Sequence, residues 1–233
     1  MDNMHLWNKG SNSMKILVIA PHPDDEVIGV GGTIAKRVKA GNEVYVCIVT
    51  KGQESMFKKE FIEQGRKECR EADAKLGVKD TFFLDFPAVM LETVPRYELN
   101  GQISEIVKKI KPEEIYIPHR GDMQLDHQIV VDAAMVAVRP RGDYYPKRVY
   151  AYETLSETGW NIPNFVNEFI PTVYEDISDF LETKMKAMSI FESQLGAFPA
   201  ARSIGAIDAL AKYRGSIVNV VAAEAFSLIR EVK

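Results

Sequence analysis

Three carboxylates and an imidazole fall within five residues, His22, Asp24, Asp25 and Glu26, and Pro21 and Pro23 restrict the backbone around them. They directly follow the apolar run Ile16 to Ala20, an odd way to end a buried strand unless the charges are used. A second polar cluster, His119 to His127, adds Asp122, Gln124 and Asp126 after another apolar run, Glu114 to Ile117. His22, Asp25 and His127 together would give a site of two imidazoles and one carboxylate with open positions, the pattern of a catalytic rather than a structural metal. Asp24 diverges from its neighbour Asp25 and is left free to act on water. Each feature also has a plainer reading. A lone His-x-x-Asp is commonly a surface loop, Asp122 can be a turn residue or the neighbour of a helix start, and His5 lies in a polar arm where it is solvated.

For these clusters to meet, their strands must be neighbours. Lys15–Ala20 reads as a parallel strand covered on both faces, followed by a helix over Thr33–Ala40, a strand over Glu43–Thr50 and a helix over Phe57–Leu76. The stripe of that helix is Phe57, Phe61, Cys69, Ala72 and Leu76, and Gly77 ends it. Then come a strand at Thr81–Leu84, a helix at Gln102–Ile110, a strand at Glu114–Ile117 and a helix at Ile129–Val138. The alternation predicts an α/β fold, a Rossmann-like three-layer sandwich with an open, mostly parallel sheet and right-handed crossovers. With strand order 3-2-1-4, the first and fourth strands lie astride the switch point, and both clusters face one crevice. Beyond Arg139-Pro140 the pattern loosens into a C-terminal α/β extension. It reads as strands at Arg148–Tyr152 and Phe169–Tyr174, then helical stretches at Ile177–Ser189 and Ala222–Arg230. Gly29, Gly31 and Gly32 do not complete a dinucleotide fingerprint, because position 34 is Ile34; they suit close helix-to-strand packing instead.

Composition narrows the partners. The chain has 233 residues, 46% of them hydrophobic, with 29 Lys and Arg against 33 Asp and Glu, a net charge of −4. Nucleic acid is not expected, since no basic surplus gathers into a patch. No apolar run approaches the roughly 20 residues of a membrane span. Residues 1–13 read as a disordered arm or an artificial leader, and residues 14–233 as a single domain. Cys47 and Cys69 both fall in apolar patterns and point to a reducing, cytoplasmic setting.

The sequence resembles the LmbE-like (PIG-L) family of zinc-dependent N-deacetylases over nearly its whole length from Met14. The resemblance rests on Pro21-His22-Pro23-Asp24-Asp25-Glu26, the glycines before Thr33, Asp122 with Asp126-His127, Tyr152 to Ser156, Arg202-Ser203, Arg214-Gly215 and Ala223 to Phe226. It implies His22, Asp25 and His127 as ligands of one zinc ion per chain and Asp24 as general base. One position departs: where well-studied branches carry a His, this chain has Gln124, which can donate a hydrogen bond to an oxyanion but cannot deliver a proton. That leaves the general acid open between Asp24, acting as a shuttle, and His119.

The implied activity is removal of the acetyl group from an N-acetylglucosamine-type amino-sugar conjugate, releasing acetate and an amine. Asp122 and Asp126 stand behind the ligands. Arg66, Arg202 and Arg214 are candidates for the substrate's hydroxyls or anionic groups, or equally solvated faces. A ferrous facial triad uses the same ligand types, but alternating strands and helices do not suit the all-β barrel expected for it. A non-catalytic sugar or nucleotide-sugar binder on the same fold is the alternative from another class. The segments Pro87–Arg96 and Gly159–Phe169 hold the substrate choice, and Trp160, Ile162 and Phe165 can rim a pocket or join subunits, which leaves a homo-oligomer open.

Overall fold

A computed structural model describes residues 13–233, so all but the last residue of the arm read at 1–13 lies outside it. The elements run β1 (Lys15–Ala20), α1 (Asp25–Lys39), β2 (Glu43–Lys51), α2 (Lys59–Leu76), β3 (Asp80–Pro87), a 3-10 turn (Leu91–Thr93), α3 (Arg96–Ile110), β4 (Glu114–Pro118) and α4 (Leu125–Ala137). The extension adds β5 (Arg148–Tyr152), β6 (Val173–Asp176), α5 (Leu181–Met188), α6 (Ile204–Ile217) and β7 (Ala223–Glu231). The strands form one sheet in the order β3-β2-β1-β4-β5-β7-β6. β1 to β5 are mutually parallel, and β7 runs antiparallel to β5 and β6.

β1 is central and buried on both faces, which is why its sequence is a continuous rather than an alternating apolar run. Its alternate residues divide the core. Ile16, Val18 and Ala20 join α1, α2, α5 and α6 on one side, while Leu17 and Ile19 join α3 and α4 on the other. Val18 pairs with both Val46 of β2 and Tyr116 of β4, so the loops leaving β1 and β4 emerge side by side at the switch point.

Several expectations need correction: β6 begins at Val173, not Phe169, and α3 at Arg96, not Gln102. The first helix begins at Asp25, eight residues earlier than its apolar periodicity suggests, because carboxylates favour the first turn, where backbone amides lack partners. α4 likewise begins at Leu125, so His127 lies in its first turn. In α2 the buried stripe is Ile62, Gly65, Cys69, Ala72 and Leu76; Phe61 is exposed and Phe57 precedes the helix. Ala222–Arg230 is not helical but supplies β7, and α6 falls on a stretch to which the sequence assigned no element. Alanine and glutamate in β7 suggest a helix, yet the segment pairs as a strand on which Phe226 packs into the core and Glu224, two residues back on the same face, reaches α1.

The glycines of α1 make room for neighbours. A Cβ on Gly29 would lie 2.2 Å from the Tyr152 ring of β5, and one on Gly32 would lie 2.6 Å from Ile177. Both approaches hold α1, and with it the loop after β1, against the extension.

Candidate active site

The turn after β1 is built around its own carboxylates. Asp25 Oδ2 accepts the His22 amide at 2.9 Å, and Glu26 Oε2 accepts the Asp24 amide at 3.0 Å. Asp24 occupies the N-cap of α1 with φ 107°, in the left-handed region where a non-glycine residue costs about 1–3 kcal/mol. Its carbonyl starts the helix by accepting the amides of Val27 and Ile28.

Across the switch point, His127 meets this turn. Asp25 Oδ2 is 3.3 Å from His22 Nδ1 and 3.3 Å from His127 Nε2. One donor atom from each of His22, Asp25 and His127 lies within 4.8 Å of the others, so the three can hold one cation. The outward ring nitrogens are fixed by carboxylates: His22 Nε2 meets Asp126 Oδ2 at 3.0 Å, and His127 Nδ1 meets Asp122 Oδ2 at 2.9 Å. With N–H bonds made outward, the inward nitrogens offer lone pairs to a cation once their own protons leave, as metal-binding imidazoles require. Both carboxylates are themselves anchored. Asp126 accepts the Val89 amide at 2.6 Å, and Asp122 accepts the Thr158 hydroxyl at 2.5 Å. His127 Nε2 and Asp25 Oδ1 are buried without a hydrogen-bond partner, which is what donors of a cation site look like in the protein alone.

The electrostatics agree. Burial opposes charge on His127, but Asp25 and Asp122 push its pKa up to about 10. Burial likewise opposes charge on Asp25, yet His127 and His22 hold it well below the ordinary carboxylate range. The cluster therefore gains from positive charge between its acids. Asp24 behaves differently: burial raises its pKa to about 7 against the pull of Arg202. Both Asp24 carboxylate oxygens are buried without a hydrogen bond, and Arg202 Nη1 stands 3.4 Å from Oδ2.

A cavity of about 260 Å³ opens on this group and is lined by His22, Gln124, Arg66 and Arg202. The Gln124 backbone N–H donates to Glu157 Oε2 at 3.1 Å, which holds this residue at the mouth. Arg202 also donates to the Ser156 hydroxyl at 2.9 Å. Arg66 pairs with Asp85 and lies over the Phe83 ring at 4.4 Å. The other two predicted residues stand apart. Arg214 forms a two-bond pair with Glu153 at 2.8 and 2.6 Å and lines a second cavity of about 600 Å³ with Phe165 and Phe169. His119 borders neither cavity; its Nε2 meets the Asn167 carbonyl at 3.0 Å and its ring abuts Phe169 edge-on. Sequence reading did not single out Glu157, Thr158 or Val89. Their contacts cross loops without periodicity, and only the neighbouring Tyr152 to Ser156 motif hinted at the first two.

With this geometry in view, residues 17–138 match the PIG-L family, described as GlcNAc-PI de-N-acetylase. A diacetylchitobiose deacetylase of Thermococcus kodakarensis is 29% identical over 77% of this chain and 70% of that protein. A probable N-acetyl-alpha-D-glucosaminyl L-malate deacetylase 2 of Bacillus cereus is 28% identical over 78% of this chain and 84% of its own. The solved N,N'-diacetylchitobiose deacetylase of Pyrococcus horikoshii superposes with a TM-score of 0.77 at 26% identity, covering 97% of this chain and 87% of that one.

Proposed function

The chain belongs to the PIG-L family, and from that premise we propose that it is a zinc-dependent hydrolase. Its reaction removes the N-acetyl group from an N-acetylglucosamine-type substrate and releases acetate and a free amine. The observation that carries this reading is the pair of imidazoles turned inward on Asp25, each backed by a carboxylate, with the unbonded Asp24 beside them. His22, Asp25 and His127 would hold one metal ion per chain. Bound there, zinc supplies Lewis acidity toward water and toward an amide carbonyl.

The protein's own groups do the rest. Asp24 takes a proton from the attacking water while Arg202, 3.4 Å away, stabilises its charge beforehand. Gln124, fixed through its backbone N–H to Glu157, donates a side-chain N–H to the oxygen that gains charge as water adds to the carbonyl. The bond from water oxygen to carbonyl carbon forms and the C–N bond breaks. Asp24 then returns its proton to the departing nitrogen. Asp24 suits both transfers because burial brings its pKa to about 7, whereas His119 is engaged by Asn167 and does not line the cavity at His22 and Gln124. Arg66 and Arg202 line the cavity where the sugar would sit; Arg214 serves the Glu153 pair instead.

Among the described residues no helix is long and apolar enough to cross a membrane, and Cys47 and Cys69 are free thiols, which suits a small-molecule reaction in the cytoplasm. The test is metal content of purified protein beside a His22→Ala, His127→Ala variant, with acetate release from N-acetylglucosamine and its glycosides. One zinc per chain, lost in the variant together with acetate release, is the expected result. Metal retained by the variant removes these two histidines from the site, and a metal-loaded protein that binds sugar without releasing acetate is a binding protein.

A further inference from the structure

Resting on the deacetylase reading, we propose that the substrate carries a second, uncharged ring that stacks on Phe57 and Phe61, so that neutral glycosides are preferred to anionic conjugates. The cavity that opens on His22 and Gln124 continues along an apolar wall of Phe57, Phe61, Ile62 and Val89. Phe57 lies just before α2 and Phe61 in its first turn, with rings 6.1 Å apart and 19° from parallel. Phe61 is 41% exposed, so this stacked pair is partly open at the cavity lip instead of joining the core. A pyranose offers the complementary surface, a face of C–H groups, with its hydroxyls directed outward to water.

Val89 adds to this wall at some cost. Its φ of 62° is rare for a β-branched residue, and the Asp126 carboxylate that orients His22 also holds the Val89 amide at 2.6 Å. Wall and proposed metal ligand are thus tied to the same side chain.

The wall's cations argue against an anionic partner. Arg66 is paired with Asp85 and spread over Phe83. Arg202 stands 3.4 Å from Asp24 and 3.9 Å from Glu157, so an anion drawn to it would meet two carboxylates and compete with the proposed base. Each of these guanidiniums thus already has a carboxylate beside it, which lowers its attraction for an incoming carboxylate or phosphate. Lys51 alone among the wall's cations in the described residues has no carboxylate within 4 Å, and a single hydrated ammonium at a lip contributes little.

The experiment compares N-acetylglucosamine, N,N'-diacetylchitobiose and N-acetylglucosaminyl malate as substrates of zinc-loaded wild type and Phe61→Ala. In wild type, kcat/KM for the neutral disaccharide should exceed that of the other two. Phe61→Ala should lower the disaccharide-to-monosaccharide ratio about tenfold, mainly through KM, the scale of one aromatic contact. An unchanged ratio, or a wild-type preference for the malate conjugate, overturns the proposal. If none of the three releases acetate, the deacetylase reading fails, and calorimetric titration with chitobiose decides the subsite separately. Binding weakened about tenfold by Phe61→Ala supports the stacking platform, and equal or absent binding in both proteins overturns it.

Discussion

At Asp24 the backbone is held at φ 107°, the carboxylate is fully buried, and neither oxygen has a hydrogen bond. Asparagine tolerates positive φ and has nearly the same shape, so Asp24→Asn removes the proton acceptor with little disturbance of the turn. Turnover should fall about 10²–10⁴-fold while zinc content stays near one per chain. A variant with near-normal kcat would take Asp24 out of the reaction. Asp122 is tested by affinity instead, because it touches His127 and not the proposed ion. Asp122→Asn weakens the orienting bond to Nδ1, and zinc affinity should drop about 10–100-fold in a chelator competition. Equal affinity in both proteins would mean that the charge of Asp122 plays no part in holding the ring for metal. These residues were legible in sequence because the turn and the α4 start each concentrate polar groups beside apolar strands. Arg214 was legible only as a residue type. Its use in the pair with Glu153 depends on a contact 61 positions back along the chain, which no local pattern carries.

At the scale of elements, α1 is the part that sets the site, and its middle is gripped by the C-terminal extension. Glu224 of β7 accepts the amides of Gly32 and Thr33 at 2.8 and 2.7 Å, and Lys184 of α5 donates to the Ile28 carbonyl at 2.7 Å. The two side chains also pair at 2.5 Å in a nearly dry interior. Glycines at 29, 31 and 32 permit this approach, since a Cβ at Gly31 would already press on the Lys184 chain at 3.3 Å. Lys184→Met leaves the Glu224 charge buried without its cation and should cost about 3–5 kcal/mol in urea unfolding. Adding Glu224→Gln, which removes that charge and keeps an acceptor for the amides, should recover part of the loss. Additive losses would show that the pair contributes nothing as a pair. The same grip explains why β7 was misread. Its backbone pairs with β5 on one side and β6 on the other and its glutamate serves α1, so each residue answers to a distant partner and the helix-like composition misleads. The βα units from β1 to α4 were legible because each couples a short strand to a helix by a short local loop.

For the molecule as a whole, the parallel half of the sheet followed from alternation, but the route by which the chain closes it did not. β7 inserts between β5 and β6 although it comes last, a pairing across some 50 to 80 positions that adjacent residues cannot encode. The closed molecule also buries acids that the proposed reaction does not use. Glu26, Cys69 and Asp73 cluster in the interior behind the Asp24 turn, and Asp73 accepts the Thr81 hydroxyl at 2.6 Å. Burial raises the Asp73 pKa from 3.8 to about 7, with Thr81 and Cys69 pulling it down only partly. Between these two values the folded protein keeps a proton that the unfolded chain has released. The contribution to stability is therefore complete below about pH 4 and is lost as pH rises through about 7. Asp73→Asn removes that titration while Asn Oδ1 can still accept from Thr81. Unfolding free energy measured in urea from pH 4.5 to 8 should fall less steeply in the variant than in wild type, by at most one proton, or about 1.4 kcal/mol per pH unit. Glu26, also pushed well up by burial, keeps a slope of the same sign in both proteins. Parallel slopes would mean that Asp73 is already ionised in the folded protein at pH 4.5, and that the buried cluster holds a charge for which the interior must supply another partner.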